Sequence, residues 1–316
     1  MNKVKGLKNK DLLGLKDLSL EELQLILKTA ISMKEVISRP IPKVPTLLGK
    51  HLVTLFYEPS TRTRTSFNMA AKVLSANITN VALSSSSISK GESLIDTAKN
   101  LEVMGVDAII IRHNMAGAAH LLASQTSACV INAGDGCDEH PTQGLLDIFT
   151  MIDKKKSVKG KKVLIVGDIA HSRVAKSNIW GLNKLGAEVV VVGPPTLMPA
   201  GIEGLGVRVS YDLDKELKEA EFVNMLRIQR ERMDKGFFPS INEYAELYGL
   251  NAERLKKARP DLVIMHPGPI NRGVEMTSEV ADGPNTVILE QVTNGVAVRT
   301  ALLFLLLSGK NQSTSA

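Results

Sequence analysis

The 316-residue chain carries a formal net charge of +6, 44% apolar residues, and only four Tyr, seven Phe and one Trp. That length suits two α/β lobes of ordinary domain size, each with its own core. The basic excess has no stripe of interleaved aromatics, which argues against nucleic acid; a small anionic substrate explains it better, and most of it is expected to be solvated surface.

The longest apolar stretch, residues 295–307, is interrupted by Arg299 and falls short of the about 20 residues needed to cross roughly 30 Å of hydrocarbon. It is expected to be a buried helix, with no membrane partner. The N-terminus, with Lys3, Lys5, Lys8 and Lys10, lacks the apolar stretch of a secretory signal. Cys129 and Cys137 fit a reducing compartment, so a cytoplasmic location is expected.

In chain order, Ser19-Leu20-Glu21-Glu22 has the pattern of a capping box, and Leu20, Leu23, Ile26, Leu27, Ala30 and Ile31 follow at helical spacing. The helix should end before Pro40, Pro42 and Pro45. Short apolar runs at 52–57, 108–111, 128–131, 162–166, 189–192, 221–226 and 262–265 then alternate with helix-length segments. Runs rich in Val and Ile at this spacing predict buried parallel strands in βαβ units.

The polar stretch from Lys154 to Gly160 is the natural boundary between two sheets. The predicted fold is therefore α/β in two lobes, each a mostly parallel sheet flanked by helices. Residues 1–150 form the first lobe and 151–288 the second. The helix at about 289–308 is apolar on too many sides for the surface of the second lobe and should pack back on the first. Residues 309–316 are expected to be a disordered tail.

Ser60-Thr61-Arg62-Thr63-Arg64-Thr65 follows the first strand and opens a helical pattern. A helix start offers unpaired N–H groups and a positive dipole end, and hydroxyls and guanidinium groups gather there too. That is a phosphate site without glycines; Ser60 or Thr61 could instead simply cap the helix with the arginines solvated, a reading that the repeated Ser/Thr-Arg alternation weakens. No G-x-G-x-x-G or G-x-x-x-x-G-K-[ST] pattern is present, so no nucleotide cofactor is expected.

His140-Pro141-Thr142-Gln143 begins another helical pattern. A histidine beside a helix start tends to stay neutral, and a neutral imidazole N–H can polarise a carbonyl. Cys137 and His140 imitate half of a zinc site but have no second pair. Arg173 opens a helix after the 162–166 strand, while Arg227 and Gln229 lie just past 221–226. Residues beyond strand carboxyl ends face the ligand crevice of an open α/β sheet, and paired arginines suit a dicarboxylate. Taken singly, each arginine reads equally as a surface ion-pair residue. His266-Pro267-Gly268-Pro269 ends the last strong strand in an irregular turn.

Three blocks together resemble the aspartate and ornithine carbamoyltransferase family: Phe56-Tyr57-Glu58-Pro59-Ser60-Thr61-Arg62-Thr63-Arg64, His140-Pro141-Thr142-Gln143, and His266-Pro267-Gly268-Pro269-Ile270-Asn271-Arg272-Gly273-Val274-Glu275. The resemblance covers about residues 52–299. Ornithine members resemble one another in a His-Cys-Leu-Pro block, whereas Pro267 stands at the cysteine position here. The segments 271–275 and 227–232 look like the aspartate type.

The resemblance implies carbamoyl transfer from carbamoyl phosphate to L-aspartate in pyrimidine biosynthesis, with no cofactor or metal. It makes 1–150 the carbamoyl-phosphate-binding domain and 151–288 the aspartate-binding domain. It assigns the phosphate to Ser60, Thr61, Arg62, Thr63 and Arg112, and the carbonyl oxygen to Thr63, Arg112 and His140. Gln143 and the backbone of Gly268 and Pro269 would take the carbamoyl amide. Arg173, Arg227 and Gln229 would bind aspartate. Ser86 and Lys90 match residues lent by the adjacent subunit of a homotrimer. Regulatory chains or another pyrimidine-pathway enzyme are the partners to look for. One departure is Asn68, where similar sequences frequently carry Glu. The competing readings are an ornithine carbamoyltransferase and a catalytically inactive homologue kept as a partner protein.

Overall fold

The computed structural model describes residues 6–81, 91–228 and 240–308. The chain forms two compact units, one of Met1–Thr142 with Val292–Ala316, the other of Gln143–Gln291. The tail at 309–316 lies outside the described residues.

The first unit runs through α1 (Leu20–Ile37), β1 (His51–Phe56), α2 (Thr61–Val73), β2 (Asn77–Val81), α3 (Leu94–Val103), β3 (Ala108–His113), α4 (Ala118–Gln125) and β4 (Cys129–Asp135). Helix α5 (Pro141–Lys155) starts in this unit and continues in the second. There follow β5 (Lys162–Val166), α6 (Arg173–Lys184), β6 (Glu188–Val192), β7 (Arg208–Ser210), α7 (Leu213–Leu217), β8 (Phe222–Met225), α8 (Ile241–Tyr248), α9 (Ala252–Leu255), β9 (Val263–Met265) and α10 (Ser278–Ala281). The last helix, α11 (Ile288–Leu307), belongs to the first unit from Val292 onward.

Helix α1 starts where the sequence places it, with a complete capping box: Glu22 N–H donates to Ser19 Oγ at 3.2 Å and Ser19 N–H to Glu22 Oε2 at 3.0 Å. The sheets are ordered β2-β1-β3-β4 and β7-β6-β5-β8-β9, with every strand pair parallel. All seven apolar runs are strands. β4 and β5 are buried at every position, as expected where helices cover both faces of a sheet.

The two strands the sequence did not announce, β2 and β7, are both edges, and neither has a buried residue. A strand half open to solvent needs no continuous apolar run.

Leu55, Ile109, Ile111, Leu122 and Val130 form the core on one face of the first sheet, and Leu164, Val190, Val223, Met225 and Ile264 that of the second. Helix α11 is long and apolar enough to cross a membrane, yet 67% of its apolar window is buried inside the protein. Ala297, Val298, Leu302 and Leu303 are wholly inaccessible, so α11 is a core helix that packs on the first unit as expected.

Candidate active site

Parallel strands place their carboxyl ends along one edge, and in the first unit β1, β3 and β4 are consecutive in the sheet. The segment after β1 turns into α2 with Ser60 as the N-cap residue. Ser19, Ser93 and Ser172 each cap their helices through the side chain, but Ser60 makes no such bond. The capping alternative therefore fails for Ser60, whose hydroxyl stands beside N–H groups that lack intrahelical acceptors. Thr61 and Arg62 are exposed, while Thr63 is buried. Arg64 turns back over the Phe56 ring at 5.2 Å.

Arg112 sits one residue from the end of β3, opposite Phe56 of β1. Its Nε lies 3.2 Å from Glu58 Oε2 and its Nη1 donates to the carbonyl of Ala133 at 3.3 Å. The guanidinium is thus fixed between the ends of β1 and β4. Glu58, inside the first sequence block but given no role there, is one of its anchors.

His140 is buried directly ahead of Pro141, the first residue of α5. Its approach is rigid: Asn132 Nδ2 donates to Asp135 Oδ1 at 3.1 Å and to the Glu139 carbonyl at 3.4 Å, while Asp135 N–H donates to the same carbonyl at 3.2 Å. Gly136 has φ +48°, and a Cβ there would stand 2.5 Å from the Ala116 nitrogen, so glycine is required at that turn.

In the second unit β5, β8 and β9 are neighbours, and each delivers one candidate segment from its carboxyl end. Past β5, Asp168 accepts the backbone N–H of His171 at 3.1 Å and faces its Nδ1 at 2.9 Å. Burial pushes the Asp168 carboxyl up, and His171 opposes that push. Arg173 then opens α6, with Ser172 accepting from Ala175 N–H at 3.1 Å. Arg173 is only 3% exposed, which removes the surface ion-pair reading for it.

Past β8, Arg227 is half-buried, and the next residue, Ile228, is held on both sides. Ile228 N–H donates to Glu275 Oε1 at 2.8 Å and Asn271 Nδ2 donates to the Ile228 carbonyl at 3.2 Å. The 271–275 block, which resembles the aspartate type, thus steadies the segment carrying Arg227. Past β9, Gly268 N–H donates to His266 Nδ1 at 2.8 Å, and the Gly268-Pro269 peptide is cis.

Gln143, first residue of the second unit, donates from Nε2 to Asp147 Oδ1 at 2.9 Å. Burial pushes the Asp147 carboxyl up, against four side-chain amide donors. Sequence reasoning passed over Asp147, although an acid inside Leu145-Leu146-Asp147-Ile148-Phe149, four residues after Gln143, was a signal. Ser86, Lys90 and Gln229 lie outside the described residues.

Two α/β units, each built on a parallel sheet, with an uncapped hydroxyl at a helix start in one and arginines past strand ends in the other, fit the class of group-transfer enzymes. The chain belongs to the aspartate/ornithine carbamoyltransferase family, whose carbamoyl-P binding domain matches residues 10–153 and whose Asp/Orn binding domain matches residues 159–306. It is 61% identical over 305 residues to the aspartate carbamoyltransferase catalytic subunit of Moorella thermoacetica, covering 96% of this chain and 99% of that one.

Among solved structures, it resembles the aspartate transcarbamoylase of Trypanosoma cruzi in complex with carbamoyl phosphate and aspartate, with TM-score 0.86 and 27% identity over 94% of this chain and 97% of that one. It also resembles the ornithine carbamoyltransferase of Pyrococcus furiosus, with TM-score 0.84 and 31% identity over 96% of this chain and 98% of that one.

Proposed function

We propose that this chain transfers the carbamoyl group of carbamoyl phosphate to the amino group of L-aspartate, yielding N-carbamoyl-L-aspartate and phosphate for pyrimidine biosynthesis in the cytoplasm. Fold similarity does not choose between acceptors, since both kinds of enzyme match at about the same TM-score. The observation that carries the choice is 61% identity, over nearly the whole chain, to an aspartate enzyme. Pro267 in place of the ornithine-type cysteine agrees with it. Every matched ligand is retained, which speaks against an inactive homologue.

In this reading Ser60, Thr61, Arg62, Thr63 and Arg112 hold the phosphate, and Gln143 with the backbone of Gly268 and Pro269 holds the carbamoyl amide. Arg173, Arg227 and Gln229 grip the two carboxylates of aspartate. The amine attacks the carbamoyl carbon, charge builds on its oxygen, and the carbon–oxygen bond to phosphate breaks. Thr63, Arg112 and His140 donate to the developing oxyanion, and loss of one such donor costs about 10²–10³ in rate. The departing phosphate takes the amine proton, so the chemistry asks for no cofactor.

The site is completed by Ser86 and Lys90 of a neighbouring copy in a homotrimer. Lys90→Ala and His140→Ala chains, each nearly inactive, test this when they are dissociated, mixed equally and reassociated. In a cyclic trimer every hybrid has one junction of intact His140 with intact Lys90, so roughly a quarter of normal activity should return. Activity no greater than that of the separate variants would show that both residues act within one chain.

A further inference from the structure

Asp147, fully buried on α5, is the focus of a polar cluster drawn from four elements. Its Oδ1 accepts from Gln143 Nε2 at 2.9 Å and Gln291 Nε2 at 2.8 Å. Its Oδ2 accepts from Asn178 Nδ2 at 2.9 Å and Asn224 Nδ2 at 3.1 Å. All four donors are neutral amides from α5, α11, α6 and β8.

Stability alone gives no reason for this choice. A buried carboxylate balanced, among the described residues, by amides alone is costly to desolvate, and a packed apolar side chain would be as good or better.

Accepting two amide donors at each oxygen is what a carboxylate does and an amide cannot. A side-chain amide has a donor end and an acceptor end of nearly the same shape. Facing an acceptor-only group, each of the four must turn its N–H₂ inward and its carbonyl away. For Gln291 the consequence is visible: its Oε1 accepts the backbone N–H of His266 at 3.0 Å, and His266 Nδ1 in turn accepts Gly268 N–H at 2.8 Å. The same carboxylate therefore orients both Gln143 and the turn that carries Gly268 and Pro269.

We propose that Asp147 is a positioning residue that fixes the amide of Gln143 with its carbonyl outward, so that the site recognises the N–H₂ of a carbamoyl group and discriminates against a methyl group in its place. This rests on the carbamoyl-transfer reading above. Were Gln143 inverted, its N–H₂ would confront the substrate N–H₂, donor against donor.

The test uses two stable phosphonates that differ only in that group, phosphonoacetamide and phosphonoacetone, titrated into the intact protein by calorimetry. The wild type should prefer the amide by at least tenfold. Gln143→Glu sets one carboxylate against another and should abolish the preference. Asp147→Leu removes the shared acceptor and leaves Gln143 in place but free to invert, so the preference should fall at least threefold. A variant at either position that keeps the wild-type preference overturns the proposal.

If either variant does not fold, neutron diffraction of the wild type with phosphonoacetamide decides. Deuterons on Gln143 Nε2 must point at Asp147, and an inverted amide refutes the assignment. A wild type that binds neither phosphonate and forms no N-carbamoyl-L-aspartate would instead bring down the functional reading.

Discussion

Arg299 Nη1 lies 2.9 Å from Ser66 Oγ, so α11 is joined through a buried hydrogen bond to the helix whose start carries Ser60 to Thr63. The guanidinium also reaches Thr142 Oγ1 at 3.3 Å and stacks over Phe67 at 5.2 Å. One planar fork therefore fixes α2 and the beginning of α5, two residues past His140.

Arg299→Lys keeps the charge but cannot serve both hydroxyls and the ring from one plane. It should cost about 1–3 kcal/mol in urea unfolding. Ser66→Ala added to it should cost little more, because the bond it removes is already broken. Full additivity of the two losses would mean that the Arg299–Ser66 contact contributes nothing.

Two serines at helix starts should behave oppositely. Ser19→Ala removes a capping bond and should destabilise the protein by about 1 kcal/mol while leaving phosphate binding alone. Ser60→Ala breaks no cap, so its melting temperature should stay within error of the wild type while affinity for inorganic phosphate falls. A drop in melting temperature for Ser60→Ala with unaltered phosphate affinity would return that residue to a structural role.

The serine pair also marks where the sequence stops being informative. Ser19 is legible as a cap from Glu22 three residues on, whereas Ser60 stands in the same kind of position without such a partner, and only the three-dimensional arrangement shows that its side chain does not cap. The central strands were legible because burial on both faces demands apolar runs such as Lys162–Val166. The edge strand Asn77–Val81 was not, because nothing covers it fully. The Asp147 cluster was hidden for another reason: its partners stand at positions 143, 178, 224 and 291, and no local pattern joins them. Arg173 was placed at its strand end by spacing, but its burial came only with packing.

Replacing Arg227 by Ala should impair the use of aspartate far more than that of carbamoyl phosphate, since it removes one charged contact to the second substrate. A loss of about 2–5 kcal/mol is the scale for a desolvated charge pair broken on one side. Steady-state kinetics should show this as a steep rise in the KM for aspartate with little change for carbamoyl phosphate. An unaltered aspartate dependence would remove Arg227 from the site.

Phosphate release reads out transfer to aspartate. Purified protein mixed with carbamoyl phosphate should release phosphate rapidly on addition of L-aspartate, in step with N-carbamoyl-L-aspartate formation, and should not do so with L-ornithine. Release with ornithine in place of aspartate would make ornithine the acceptor, and no release with either while carbamoyl phosphate stays intact would mean that the chain is not a carbamoyltransferase of either kind.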